Sequence, residues 1–336
     1  MDFSGITIFG TEKNVCPAAY TMKPLPDQFI SQTHRYWTPQ RLLQSFGDKR
    51  LTITPVNAPV LLFRLGLLNK DSSMNHQSLR KFLQINHLMS LLKPHLQDLA
   101  NRFSPVVMID AGCGKSYLTF LLAWYFEEVL KHPAEIHGID QRPAIISGCI
   151  QTAEELGFSS LSFHNESISS FQWPPPKFTN DTPRRPHAVF GLHACDTASD
   201  EACALALSLK SDLIAIAPCC QAELAQWWKE NTEECSDNPL RPIFQTAHIR
   251  REMGAHFTDM LRILFLRGHG YQTTATEFIP SEHTPKNRLI TAVRVGSYLK
   301  SAQDEFRSLK QSLGSPTLAL ERVVAERRRS ESGQSE

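Results

Sequence analysis

Residues 106–116, Val-Val-Met-Ile-Asp-Ala-Gly-Cys-Gly-Lys-Ser, constrain the fold of this chain more than any other stretch. An apolar run ends in an acid, turns through two glycines and passes at once into an apolar-periodic segment, residues 117–130. The run reads as a strand buried on both faces and the following segment as a helix. Strand, tight glycine turn and helix in that order form the ligand-facing corner of an α/β sheet.

Counting tests two nucleotide patterns at this turn. A P-loop needs a glycine, four residues and then Gly-Lys-Ser/Thr. Gly114-Lys115-Ser116 supplies the second half, but Ile109 stands where the first glycine belongs. The dinucleotide pattern needs Gly-x-Gly-x-x-Gly. Gly112 and Gly114 fit it, and Tyr117 occupies the third position. What remains is Asp-x-Gly-x-Gly headed by Asp110. An acid beside glycine backbone suits a ligand with a cationic amino group and no phosphate, and S-adenosylmethionine is such a ligand. A turn without any ligand has the same pattern. Lys115 loses its phosphate role on this reading and faces solvent or substrate.

From residue 104 the pattern alternates regularly. Strands are expected at 106–110, 135–140, 160–163, 187–193, 212–217, 271–279 and 288–295. Helices are expected at 116–130, 142–156, 199–209, 221–230 and within 244–267. This is an α/β chain with a doubly wound, seven-stranded Rossmann-like sheet and an N-terminal extension. The expected division is an extension or small subdomain at 1–74, the sheet domain at 75–297, and a helical fragment with a disordered tail at 298–336. In the extension, residues 51–53 and 60–63 read as short strands. Phe82, Ile85, Met89 and Leu92 mark one helix face within 77–102, which Pro94 is expected to end or kink. The prolines between Trp173 and Pro186 suggest an exposed insertion.

Ligands of such sheets bind outside the carboxyl ends of the strands. The second strand ends at Asp140, where a carboxylate can accept both hydroxyls of an adenosyl ribose, or cap the following helix. After the third strand, Glu166, with Asn165 as the second choice, can reach the adenine amino group. The fourth strand ends in His193-Ala-Cys195-Asp196 and the fifth in Pro218-Cys219-Cys220. These two ends flank the place where a donor methyl would point. His193 or Asp196 can act as general base on an acceptor hydroxyl or amine. A thiolate among Cys195, Cys219 and Cys220 can add to C6 of a pyrimidine and activate C5. The same residues can hold zinc, but no Cys-x-x-Cys pair supports that, and no metal is expected. Buried thiols are also common as small apolar residues. The loop from Glu277 through His283 and Lys286 to Arg288 would lie near the same edge, as a substrate clamp or as a plain exposed hairpin loop, and His256 and Asp259 belong to the long helix before it.

Charge adds a partner. Residues 1–100 carry 11 Lys/Arg against 6 Asp/Glu, whereas residues 101–300 carry 18 against 22. The basic front part is compatible with RNA, and equally with a plain solvated surface. The eight cysteines show no disulfide spacing, no leader pattern opens the chain, and no run approaches eighteen apolar residues. A cytoplasmic protein with no membrane contact is expected.

Three motifs taken together resemble the class I S-adenosylmethionine-dependent methyltransferases. They are Asp110-Ala-Gly112-Cys-Gly114-Lys115-Ser116, His193-Ala-Cys195-Asp196-Thr-Ala-Ser-Asp200 and Ala217-Pro218-Cys219-Cys220. The helix Arg80-Lys81-Phe-Leu-Gln84-Ile85-Asn86-His87 fits as well. More narrowly, the chain resembles the family of methyltransferase-like proteins and of the protein with a glutathione S-transferase C-terminal domain. Its His-x-Cys and Pro-Cys-Cys elements are similar to those of tRNA acceptor-stem 2′-O-methyltransferases, whose zinc-finger segments are not seen here. The resemblance covers roughly residues 75–297 and implies methyl transfer from S-adenosylmethionine, with His193 beside the donor. It leaves the acceptor open among RNA, protein and small molecules; a non-catalytic scaffold that binds the donor is the remaining alternative.

Overall fold

The computed structural model describes residues 27–174, 185–192, 197–218, 222–231, 233, 237–278, 288–296 and 298–331. Seven strands form one sheet: β1 (Val106–Ala111), β2 (Ala134–Ile139), β3 (Leu161–His164), β4 (Ala188–Gly191), β5 (Leu213–Ile216), β6 (Tyr271–Glu277) and β7 (Arg288–Arg294). The helices before the sheet are α1 (Asp27–Tyr36), α2 (Pro39–Phe46), α3 (Pro59–Arg64) and α4 (His76–Arg102). Helices α5 (Tyr117–Trp124), α6 (Pro143–Leu156), α7 (Ala198–Ser208), α8 (Glu223–Glu230), α9 (Arg241–Gln245) and α10 (Ala247–Gly268) alternate with the strands. Helices α11 (Lys300–Ser312) and α12 (Ala319–Glu331) follow the sheet. The last turns after α5, Tyr125–Leu130, widen into a π-helix.

The strand order is β3-β2-β1-β4-β5-β7-β6, with all strands running the same way except β7, which is antiparallel to both its neighbours, β5 and β6. The order reverses between β1 and β4, which opens a crevice at their carboxyl ends. Every residue of β1 is buried, because helices cover both faces. Val106 and Met108 pack on one side with α4, α5 and α6. Ile109 and Ala111 pack on the other with α7, α10 and α12. A third cluster, built on Trp228, Phe244 and Phe306, joins α8, α9, α10 and α11. Among the described residues no helix is long and apolar enough to cross a membrane.

Two local expectations fail for clear reasons. Residues 60–63 are helical, not a strand: Pro59 sits in the first helical turn, where its fixed φ and missing N–H favour a helix start. Residues 51–53 form no strand either. The side chain of Asn86 on α4 takes the place of a strand partner, accepting from the Ile53 N–H at 2.9 Å and donating to the Ile53 carbonyl at 3.0 Å. Pro94 does not end α4, which runs for 27 residues. Pro94 and Ser90 lie on the exposed face, so the Ser90 carbonyl that loses its helical donor can face water. Leu92, Leu96 and Leu99 meanwhile carry the buried stripe through the proline. Phe29, Trp37, Phe46 and Ile53 share one core with this helix and with β1.

Candidate active site

The turn after β1 is built on left-handed backbone. Gly112, Gly114 and Ser116 have φ of 72°, 55° and 57°. That region disfavours residues with a Cβ by about 1–2 kcal/mol, so the two glycines are required by conformation. The turn is pinned to β2 by the Cys113 N–H, which donates to the Ile139 carbonyl at 2.9 Å. Gly138 makes that approach possible. A Cβ there would stand 2.7 Å from a Phe163 ring carbon and 3.1 Å from the Cys113 sulfur. Lys115 is exposed at the head of α5, as expected of a side chain with no phosphate role.

Asp110 and Asp140 close the two strand ends, and their environments differ. Asp110 is fully buried. Its Oδ2 accepts from the Thr119 hydroxyl at 2.6 Å, while its buried Oδ1 has no hydrogen-bond partner among the described residues. Burial pushes its pKa up; the Thr119 bonds act against this and the Asp140 charge adds to it, leaving the pKa at about 6. Burial also acts upward on Asp140, but hydrogen bonds and charge from Arg142, with the Gly114 N–H, outweigh it and hold this carboxyl below its ordinary value. The Gly114 N–H donates to Asp140 Oδ2 at 3.1 Å, and the Arg142 guanidinium grips both oxygens at 2.9 and 2.8 Å. The edge of the turn therefore holds one carboxylate kept ionised and one that protonates readily. A cation is the ligand that would satisfy the orphaned Asp110 oxygen.

The remaining expected residues divide in two. Glu166 is half-buried two positions beyond β3, and Asn165 beside it donates to the Asp140 carbonyl at 3.1 Å. His193, Cys195, Asp196, Cys219 and Cys220 lie outside the described residues, as do His283 and Lys286. Their flanks are placed: Gly191 pairs with Ile216, and the Ala217 N–H donates to the Gly191 carbonyl at 3.2 Å. The ends of β4 and β5 thus stand side by side at the carboxyl edge.

A buried ion network braces that edge. Arg262 on α10 grips both oxygens of Asp200, in the first turn of α7, at 2.7 and 2.9 Å. Asp259 bridges Arg262 to Arg288 at the start of β7. Arg288 also donates to His256 Nδ1 at 2.8 Å. Arg288, at the end of the expected clamp loop, is therefore brought together with His256 and Asp259 of α10, with Asp259 tied inward.

Thr119, Arg142, Gly138 and Arg262 were not singled out by sequence. Arg142 follows Asp140 by two positions, a spacing that permits the local contact without requiring it. Thr119 is a polar residue in the first turn of an otherwise apolar helix, which was the available signal.

Residues 80–227 match a family model described as a methyltransferase domain. No curated protein matches the chain. Among solved structures, an rRNA methylase from Streptococcus thermophilus aligns with a TM-score of 0.38 at 11% identity, over 60% of this chain and 95% of that one. Magnesium protoporphyrin IX methyltransferase from Synechocystis PCC 6803, solved with bound SAM, aligns with a TM-score of 0.36 at 16% identity, over 82% and 100%. The small RNA methyltransferase HEN1 aligns with a TM-score of 0.39 at 15% identity, over 64% and 26%. The stretch from α4 into α8, which holds the glycine turn and the Asp110–Asp140 pair, is thus similar in sequence to a methyltransferase domain.

Proposed function

We propose that this chain transfers the methyl group of S-adenosylmethionine to RNA, of the tRNA or rRNA class, as a cytoplasmic member of the methyltransferase-like family named above. The observation that carries the donor assignment is the buried Asp110 Oδ1, which lacks a partner among the described residues and lies beside a glycine turn. The residues present fit that donor. Asp110 would take its ammonium group, the turn at Gly112 and Gly114 would lie against its methionine end, and Asp140 would take the ribose hydroxyls. Glu166 would take the adenine amino group. Bound there, the donor supplies an electrophilic methyl group. The chain's own part is to orient the donor and to hold or remove the acceptor proton, which we assign to His193 or Asp196. Cys195, Cys219 and Cys220 are the thiols available if the acceptor is a pyrimidine carbon. RNA as the acceptor rests on the surplus of 11 basic over 6 acidic residues in 1–100 and on the Arg288 corner of the site.

Titration calorimetry with S-adenosylmethionine tests the donor site. Binding should be lost in both Asp110→Ala and Asp140→Ala, and the assignment fails if neither weakens it. Incubation with methyl-labelled donor and separate RNA, protein and metabolite pools tests the acceptor. Label confined to protein or small molecules overturns the RNA reading, and label in no pool favours a scaffold.

A further inference from the structure

A second concavity lies at the opposite edge of the sheet. It has a volume of about 600 Å³ and opens beside the amino end of β5, the start of β6 and the end of β7. Because β1, β4 and β5 are parallel, this edge is separated from the glycine turn by the length of the strands, about 13 Å or more for four residues. Helix α12 forms one wall.

Its lining is positively charged. Lys210, Arg294, Arg327 and Arg328 contribute cations, and Asp212 is the one carboxylate in the lining. Asp212 is already matched by two further guanidiniums, Arg102 and Arg185, each at 2.6 Å. Arg327 is spent on structure, donating to Ser208 and to the Ile168 and Phe171 carbonyls. Lys210, Arg294 and Arg328 are exposed. Their placement is built. Lys210 holds left-handed backbone, φ 52°, where α7 ends, and its carbonyl collects one N–H each from Arg185 and Arg294. His269 Nδ1 lies 2.8 Å from the Phe265 carbonyl, which can only accept, so Nε2 is left as the acceptor for Arg328 at 3.1 Å. A neutral imidazole thereby aims a guanidinium. Tyr298, whose hydroxyl is held by Gln303, keeps its side chain 57% exposed beside the exposed Val295.

Gathered cations whose one carboxylate among the described lining residues, Asp212, is already matched complement an anion, and Arg is suited to phosphate through paired donors. An exposed aromatic ring beside them suits a flat base. The volume is that of a small-ligand pocket. We propose that this cavity binds a nucleotide through its phosphate, with Lys210, Arg294 and Arg328 as the anion contacts and Tyr298 as the stacking surface. The proposal does not depend on the donor assignment.

The test is calorimetry at low salt with uridine 5′-monophosphate, with S-adenosylhomocysteine present; the pyrimidine base keeps the probe distinct from the adenosyl ligand. Uridine 5′-monophosphate should bind, uridine at least tenfold more weakly, and Lys210→Gln, Arg294→Gln and Arg328→Gln should each lose fivefold or more. The exposed Arg328 variant should keep the wild-type melting temperature, which separates lost contact from lost fold. Equal affinity for uridine, full binding by the three variants, or no binding at millimolar nucleotide overturns the proposal. Inorganic phosphate competing as well as the nucleotide overturns the base contact. A short oligouridylate that displaces the nucleotide assigns the phosphate to an RNA strand; one that does not assigns it to a free nucleotide.

Discussion

Arg142 lies fork to carboxylate on Asp140, with Nε on Oδ1 at 2.9 Å and Nη2 on Oδ2 at 2.8 Å. The acid is buried and the guanidinium side chain is 61% exposed. The two donors that an adenosyl ribose would bring to Asp140 are thus already present from Arg142. A half-exposed ion pair of this kind contributes little, about 0–1 kcal/mol. Its displacement should cost the donor correspondingly little. Arg142→Ala is therefore expected to bind S-adenosylmethionine as well as wild type or up to about fivefold tighter. Asp140→Ala should lose tenfold or more. Calorimetry on both variants decides this: a large loss in Arg142→Ala would mean that the guanidinium itself holds the donor.

Asp110 gives the site a pH dependence. Its pKa moves from 3.8 to about 6 on folding because burial disfavours the charge. Between those values the folded state holds the extra proton, so stability falls as pH rises through this window and levels off above it. About two units at ~1.4 kcal/mol each correspond to a burden of about 3 kcal/mol at neutral pH. Asp110→Asn keeps an acceptor for Thr119 and removes the charge. It should gain about that much stability over wild type at pH 8 and little at pH 4. Chemical denaturation at the two pH values reads the difference, and a gain independent of pH sinks the assignment. The donor's ammonium needs the ionised acid, so its affinity should fall about tenfold per pH unit below about 6.

The centre of the sheet was legible because β1, β4 and β5 are apolar runs, and burial on both faces leaves that pattern undiluted. The turn was legible because left-handed backbone at 112 and 114 needs glycine. Short apolar runs were not: residues 60–63 are too few for periodicity to distinguish strand from helix. The stripe through Leu92, Leu96 and Leu99 overrode the local signal of Pro94. At the site, strand-end acids follow from chain position alone. Their partners do not, because Thr119 meets Asp110 through the packing of α5 on the sheet, and the two-residue spacing of Arg142 permits its contact with Asp140 without requiring it.

Gly138 should tolerate no side chain. In Gly138→Ala the new methyl would meet the Phe163 ring at 2.7 Å and the Cys113 sulfur at 3.1 Å. Either the ring or the glycine turn must shift, at about 1–3 kcal/mol. A lower melting temperature together with weakened donor binding is the expected pair. A melting temperature within a degree of wild type would show that the ring gives way freely.

Arg262 should be worth more to the fold than any exposed ion pair. Its side chain is 4% exposed between Asp200 and Asp259, each 2% exposed. Arg262→Met strands the buried Asp200 carboxylate and leaves Asp259 to Arg288, an expected loss of about 3–5 kcal/mol. Adding Asp200→Asn to that variant should restore part of the loss, because the stranded charge is then removed. Urea unfolding of the single and double variants measures both. A double variant less stable than the single would mean that packing by the guanidinium, not charge balance, holds α7 to α10.

His137 should make the fold acid-sensitive with the opposite sign to Asp110. It is buried on β2 with Nδ1 3.0 Å from His164 Nε2 and with the edge of Trp173 nearby. Its Nε2 is buried without a partner among the described residues, so the bond is best made by an Nδ1–H donating to His164, which leaves Nε2 a bare lone pair. Burial first, and the neighbouring His164 second, lower its pKa from 6.5 to about 3. The unfolded chain takes up a proton below 6.5 and the folded chain does not, so stability is full above 6.5 and is lost as pH falls toward 3. Two units below the unfolded value, at pH 4.5, this single group removes about 3 kcal/mol. His137→Phe keeps the ring volume and drops the titration. The stability of wild type relative to this variant should therefore fall by about that amount between pH 7.5 and 4.5, with the Asp110 contribution common to both and cancelling. Parallel urea curves at the two pH values would exclude a neutral buried imidazole at this position.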